Sequence, residues 1–227
     1  MNDAEVRSAA FRGLGFFLAT LAALIFLPAW SLTYWQGLAY WLIFAGACVA
    51  ITLRLMARDP ELLRRRLQAG AGAEAERTQK IIQGIASVCF IATIVVPPID
   101  TRLGWSNVSA VSSIAADVLV ALGFYGVYLT FLENSFAAAT IQVEGEQRVI
   151  ATGPYALVRH PMYAAAGVMV LATPIALGSW WGLIPAALLM AGIVVRLLDE
   201  ERFLAVNLPG YAEYMRATRF RLVPGIW

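Results

Sequence analysis

The sequence predicts an all-α, polytopic integral membrane helix bundle of about six transmembrane segments, and three observations carry that reading. Hydrophobic residues make up 60% of the chain, charged residues only 14%, and the mean hydropathy is +0.69; a soluble domain carries about 25% charged residues. Six apolar runs, near 13–30, 37–56, 81–98, 111–132, 163–178 and 180–197, are candidates for crossing the hydrocarbon core as helices. Sixteen of the seventeen basic residues fall on one side of those runs, leaving Arg102 alone on the other. An even number of crossings and the positive-inside rule then place both termini and both long polar loops in the cytoplasm, and in the inner membrane if the cell is bacterial.

The first run ends at Pro28-Ala29-Trp30 without a small-residue cleavage site, so no cleavable signal peptide is expected. Trp30, Trp35, Trp105, Trp180 and Trp181 fall near the ends of runs, as an aromatic belt requires. Between the second and third runs, Asp59-Pro60 marks a helix start and Arg64-Arg65-Arg66 follows. This predicts an interfacial helix on the cytoplasmic side, each basic residue contributing about 1 kcal/mol against anionic lipid. The short 69–73 stretch, Ala-Gly-Ala-Gly-Ala, reads as a linker. Asp117 lies inside the fourth run, one or two turns from its start, where it either faces a substrate cavity or, the preferred reading, is hydrated near the outer interface. Cys48 and Cys89 sit in apolar runs and read as packing residues. With one histidine in the chain, no metal cluster is expected. A net charge of +2 argues against a nucleic-acid partner.

The fifth and sixth runs are separated only by Gly178-Ser179 and read as a tight helical hairpin. Its first helix is preceded by Gly153-Pro154-Tyr155-Ala156-Leu157-Val158-Arg159-His160-Pro161-Met162-Tyr163, which contains the only histidine. Gly153-Pro154 favours a turn, and His160-Pro161 an extended residue before a helix-opening proline. Arg159 and the free N–H groups of that helix suit an anion. The rings of Tyr155 and Tyr163 suit an adenine or a sulfonium cation. Upstream, 135–150 reads as an extended, turn-containing connection able to offer backbone donors and acceptors to a polar ligand.

The sixth run continues into Arg196-Leu197-Leu198-Asp199-Glu200-Glu201-Arg202. Arg196 and Glu200 share a helical face, and Glu200 and Glu201 point about 100° apart, so at most one aims squarely at a shared site. Because both ends of the hairpin emerge on one side, 153–163 and 196–204 are expected to meet. Tyr211, Tyr214 and Trp227 read as interfacial anchors of a C-terminal amphipathic helix.

Gly153-Pro154-Tyr155, Arg159-His160-Pro161-x-Tyr163, Glu200-Glu201-x-x-Leu204, Pro209-Gly210-Tyr211-x-x-Tyr214 and Arg219-x-Arg221-x-x-Pro224 together resemble the isoprenylcysteine carboxyl methyltransferase family, related to the membrane phospholipid N-methyltransferases. The resemblance covers 133–227, which divides the chain into N-terminal membrane helices over 1–132 and a methyltransferase core over 133–227. It implies S-adenosyl-L-methionine as cofactor and a lipophilic methyl acceptor entering from the bilayer. Carried over by position, its cofactor contacts are Gln142, Gln147, Arg148, Val149, Ile150, Tyr155, Arg159, His160, Pro161, Met162, Tyr163 and Glu200. It implies catalytic roles for Arg196, at the acceptor, and for Glu200 and Glu201. Ala217 stands where an arginine is expected. Isoprenylcysteine-type carboxyl O-methylation is the family's name-giving reaction. The alternatives are N- or S-methylation of a phospholipid or small molecule on the same scaffold, and a non-catalytic membrane homologue.

Overall fold

A computed structural model describes residues 3–67, 77–137 and 147–227. Among them are eight helices and no strand: α1 (Asp3–Ala29), α2 (Trp35–Arg58), α3 (Pro60–Leu67), α4 (Arg77–Leu103), α5 (Ala110–Glu133), α6 (Pro161–Ala176), α7 (Leu183–Asn207) and α8 (Tyr211–Ala217), with a 3-10 turn at Gly153–Ala156. The 69–73 linker, Gln142 and most of the expected 135–150 connection lie outside the described residues.

Four helices are long and apolar enough to cross a membrane: Ala4–Ala29, Trp35–Arg58, Lys80–Leu103 and Ala110–Glu133. Their outward faces are apolar, with Phe16 77% and Val111 78% exposed. A protein surrounded by water rarely exposes so much contiguous apolar surface. The chain is therefore an integral membrane protein.

The hairpin departs from the expected pair of short spans. α6 is as short as expected, at 16 residues, but starts two residues earlier, while α7 begins later than expected, at Leu183, and, as the helical spacing over 196–204 implies, runs on to Asn207 with Arg196, Asp199, Glu200 and Glu201 in one continuous helix. The connection is 177–182 rather than two residues, because Ser179 is committed elsewhere. Its hydroxyl donates to the fully buried Asp100 of α4, which also accepts from the Ser106 amide at 2.7 Å and hydroxyl at 2.6 Å. α6 can end inside the bundle because its last carbonyls find side-chain donors: Ile175 from Ser113 at 3.1 Å, and Leu177 from the Tyr34 hydroxyl. A helix end buried in apolar surroundings is stable only with such partners.

The main core gathers Leu21 and Ile25 of α1, Tyr40 and Phe44 of α2, Ile94 of α4, Val120 and Phe124 of α5 and Ala172 and Ala176 of α6. Asp117 belongs to this interior: it is 4% exposed, and its Oδ1 has no hydrogen-bond partner among the described residues. The expectation of a hydrated interfacial position is thus overturned, because α5 turns Ser113, Ala116, Asp117 and Val120 inward as one stripe. Arg102, the lone basic residue at its end of the bundle, lies 5.6 Å over the Trp30 ring.

α5 and α6 form the most extensive helix pair. A Cβ at Gly123 would lie 2.2 Å from the Met169 side chain, and one at Gly126 would lie 2.9 Å from the Ala165 Cβ. Small residues at such crossings let membrane helices approach closely. At the basic end, α3 starts as its sequence predicts, with Asp59 Oδ1 accepting from the Leu62 amide at 2.9 Å. Leu62 and Leu63 are buried with Val6, Ala10, Leu55, Phe131 and Ala137, which pins α3 beneath the ends of α1, α2 and α5. Gly126→Leu is expected to separate α5 from α6 and to cost about 1–3 kcal/mol. Thermal unfolding in detergent measures this, and an unchanged midpoint contradicts close packing at that crossing.

Candidate active site

The site is assembled at the arginine-rich end, where three irregular stretches meet the ends of α5 and α7. Gly153 opens the 3-10 turn at φ 56°, a left-handed conformation that glycine adopts without strain. A Cβ there would lie 2.9 Å from the Glu133 carboxylate, so glycine also lets the turn seat on the end of α5. Thr152 donates its hydroxyl to Glu133 at the same place. Asn134 Nδ2 donates to the Tyr155 hydroxyl at 2.8 Å, and the Tyr214 hydroxyl donates to the Tyr155 carbonyl at 2.8 Å. Tyr155 is thereby held from both sides. Burial pushes its phenol up to about 12, with Glu200 adding to the effect and the Asn134 hydrogen bond opposing it. It is a neutral hydroxyl at any physiological pH.

From Val158 the chain runs beside the C-terminal segment: the Arg159 amide donates to the Phe220 carbonyl at 2.8 Å and the His160 amide to the Arg221 carbonyl at 3.0 Å. Side chains lock this pairing to α7. Glu201, 4% exposed, accepts from Arg159 Nε at 2.6 Å, Arg221 Nε at 2.8 Å and His160 Nε2 at 3.2 Å. Arg159, equally buried, also donates through Nη1 to the carbonyls of Met215, Thr218 and Arg219 at 3.1–3.3 Å. Burial alone would raise the Glu201 pKa, but the hydrogen bonds from His160, Arg221 and Arg159 outweigh it and hold the carboxylate down at about 2.

Glu200, one residue earlier, points elsewhere. Its Oε2 accepts from the Tyr163 hydroxyl at 2.7 Å, and that hydroxyl accepts from Arg196 Nε at 3.2 Å. The rings of His160 and Tyr163 lie 5.7 Å apart.

Two hollows flank Tyr163. The first is a cleft of about 780 Å³, mouth included, walled by 147–150, Tyr155, 159–163, Glu200, Tyr211 and Tyr214 among others. The second is a groove of about 1510 Å³, mouth included, between α4, α5, α6 and α7. It is lined by apolar residues such as Phe90, Phe124, Met169 and Ile193, with Arg66 and Arg196 joining them. Met162 and Tyr163 belong to both linings and form the wall between them.

The structure thus brings Gln147, Arg148, Val149, Ile150, Tyr155, Arg159, His160, Pro161, Met162, Tyr163 and Glu200 around one cleft. Arg196 lies on the groove side of Tyr163. Glu201 lines neither hollow and sits beneath the cleft as the buried anchor just described. Gln142 lies outside the described residues. Reading Tyr211 and Tyr214 as interfacial anchors is corrected: they are 5% and 6% exposed and pack with Leu208, Val149, Tyr155 and Leu204 in the cleft wall. Their i, i+3 spacing behind Gly210, with Leu204 and Leu208 continuing the same stripe, was the available signal. Arg66 was also missed, since no local pattern ties α3 to α7. Among the described residues, no group of three or more His, Cys, Asp or Glu could hold a metal ion.

Residues 111–208 match the phospholipid methyltransferase family, which is related to the family its motifs resemble. The match runs from α5 to the end of α7 and stops short of Tyr211, Tyr214 and Arg221. Over 106 residues the chain is 36% identical to the cobalt-zinc-cadmium resistance protein CzcN of Cupriavidus metallidurans, covering 44% of this chain and 47% of that protein. The chain therefore spans about half the length of the curated relative it matches.

The depressed Glu201 pKa makes a signed prediction. The stability from this carboxylate is complete above its ordinary value of 4.5 and is lost as pH falls towards about 2. Removing one partner of a buried ion pair costs about 3–5 kcal/mol. Glu201→Gln is therefore expected to melt well below the wild type at neutral pH and to show a flatter decline on acidification. Superimposable melting–pH profiles contradict the assignment.

Proposed function

We propose, from the family domain at 111–208, that this chain is an S-adenosylmethionine-dependent membrane methyltransferase acting on a lipophilic acid, an isoprenylcysteine-type carboxylate being the leading acceptor. One observation carries the reading: a polar, aromatic cleft and an apolar groove share the Met162–Tyr163 wall. Two dissimilar reactants can meet across such a wall, one drawn from water and one from lipid.

The residues of the cleft fit the cofactor. Glu200 offers a carboxylate to a cationic donor, and Tyr155, Tyr211 and Tyr214 offer ring faces. Val149, Ile150, Leu204 and Leu208 supply apolar contact. His160 is held by Glu201 while its ring contributes to the cleft lining. When bound, S-adenosylmethionine would supply a methyl group activated on a sulfonium, whose transfer to a carboxylate oxygen would exchange an S–C bond for an O–C bond and leave a thioether and a neutral ester.

No proton moves in that exchange, so the chain needs no general base for an acid acceptor. Its task is positioning. Arg196 faces the acceptor and is oriented by its donation to Tyr163, while Tyr163 in turn donates to Glu200. In this reading the arginine-rich end is cytoplasmic, the cleft opens to the cytosol and the acceptor enters sideways from the bilayer. An amine or thiol acceptor would have to lose a proton, and Glu200 is the carboxylate placed to take it.

Calorimetry with S-adenosylhomocysteine in detergent tests the cofactor assignment. His160→Ala and Glu200→Ala are each expected to weaken binding by about tenfold or more, the loss of one charged hydrogen bond or more. Arg196→Ala should leave that affinity intact and impair acceptor use. Unchanged affinity in both of the first two variants contradicts the site. A panel of radiolabelled methyl transfer into a prenylcysteine analogue, phosphatidylethanolamine and a small thiol tests the acceptor. Label in the prenylcysteine ester alone is the expected result, and label in amine or thiol alone overturns the carboxylate reading.

A further inference from the structure

We propose that Gly192 of α7 sets the bulk that the acceptor groove admits: it keeps a widened level open about one helical turn below the shared wall, for a ring or similarly bulky group. This rests on the methyl-transfer reading above and deepens it, from the shape of the groove alone.

The α4, α6 and α7 sides of the groove fall into three levels. At the top, beside the wall, stand Gln83, Tyr163 and Arg196. Counting the rise per helical residue, Ala86, Ser87, Ala166 and Gly192 lie about 5–6 Å deeper. Phe90, Met169 and Leu189 form the next level, about 9–11 Å from the top. α4 and α6 run inward from the arginine-rich end and α7 returns towards it, so positions 86, 166 and 192 meet at one depth. Large side chains thus bound a level where small ones predominate, Ile193 being the larger side chain that α7 adds beside Gly192. Ser87 makes no polar demand there, because its hydroxyl donates to the Gln83 carbonyl of its own helix at 2.7 Å.

Packing does not account for Gly192. Close neighbours require Gly37, Gly123, Gly126 and Gly167; a Cβ at Gly167, for example, would lie 3.1 Å from the Met190 side chain. Gly13, Gly15, Gly46, Gly84 and Gly192 meet nothing within 4 Å, and the first four are exposed. Among the described helical glycines, Gly192 therefore combines open space with a half-buried place inside a hollow. Glycine is the poorest helix former apart from proline, and what its missing side chain leaves here is room. That room is continuous with the wall that the groove shares with the cleft. A ligand whose reacting end rests at the wall passes Gly192 about one turn further on. A straight acyl chain leaves gaps at that level and forfeits dispersion contacts, whereas a ring fills it. The shape thus selects a bulky acceptor against the straight-chain lipid that surrounds the protein.

Photolabelling of the full chain in nanodiscs, without donor, tests this. The probes are a diazirine-bearing cyclohexylbutanoic acid, a diazirine-bearing dodecanoic acid, the two matching alcohols and a diazirine-bearing phosphatidylethanolamine, with labelled residues mapped by mass spectrometry. In wild type the ring acid is expected to label the groove more than the straight acid or the lipid. Gly192→Leu should cut ring-acid labelling about tenfold and leave the straight acid within about threefold, the scale of overpacking a fitted site. Gly192→Ala should fall between. Both variants are expected to melt at or above the wild type in detergent, because the new side chain meets open space and favours the helix. If Gly192→Leu alone melts lower, Gly192→Ala decides. A lowered midpoint in both variants, equal losses of ring and straight probes, or wild-type labelling led by the lipid or the straight acid overturns the proposal. Ring selectivity found with the alcohols and not the acids would leave the width of the groove standing and remove the carboxylate reading. Ring selectivity lost on mutation in a protein that never binds S-adenosylhomocysteine would likewise leave it standing and remove the methyl-transfer reading.

Discussion

The Glu201 carboxylate is the interaction on which the rest of the site depends. It accepts from side chains in two separate stretches, Arg159 and His160 before α6 and Arg221 near the C-terminus, and is itself fixed on α7. Neither of those stretches is helical there, and they are otherwise joined to each other by the amides of Arg159 and His160. A buried carboxylate without partners would be strongly unfavourable; with three donors it becomes the pin through which α6, α7 and the tail share one geometry. Because His160 immediately precedes Pro161, fixing its ring fixes where α6 begins, and with that the position of Tyr163. The cleft wall inherits its shape from a carboxylate that does not itself line the cleft.

Tyr163 then stands between two hollows with different linings. On one side lie Glu200 and a set of tyrosine rings; on the other lie Arg66, Arg196 and an apolar channel between helices. The phenol takes a hydrogen bond from Arg196 and gives one to Glu200, so the charge on each side helps to orient the other. Rigid elements hold reacting groups more precisely than loops do.

Much of this was legible in the residues, and what was not has physical reasons. Hydropathy located α1, α2, α4 and α5 because lipid-facing helices are apolar over a fixed length. The 100° offset between Glu200 and Glu201 separated their directions before any coordinates, since helical periodicity leaves no other option. Asp59 as a helix cap was equally local. The hairpin's connection was drawn too short because the tie from Ser179 to Asp100 is long-range. Asp117 was misplaced for a related reason: periodicity shows which residues share a face, but not whether that face meets lipid or another helix. Tyr211 and Tyr214 were read as interfacial anchors because their i, i+3 spacing shows a shared face but not that the folded tail buries it. Arg66 is the extreme case, brought to the groove by three helices that have no sequence relation to it.

Amide hydrogen exchange in nanodiscs, with and without S-adenosylhomocysteine, tests most directly whether the segments joined through Glu201 form one ligand site. Ligand is predicted to slow exchange together in 147–163, at the end of α7 and in α8, segments far apart in sequence. Protection confined to one of them, or none at saturating ligand, would contradict a shared cleft.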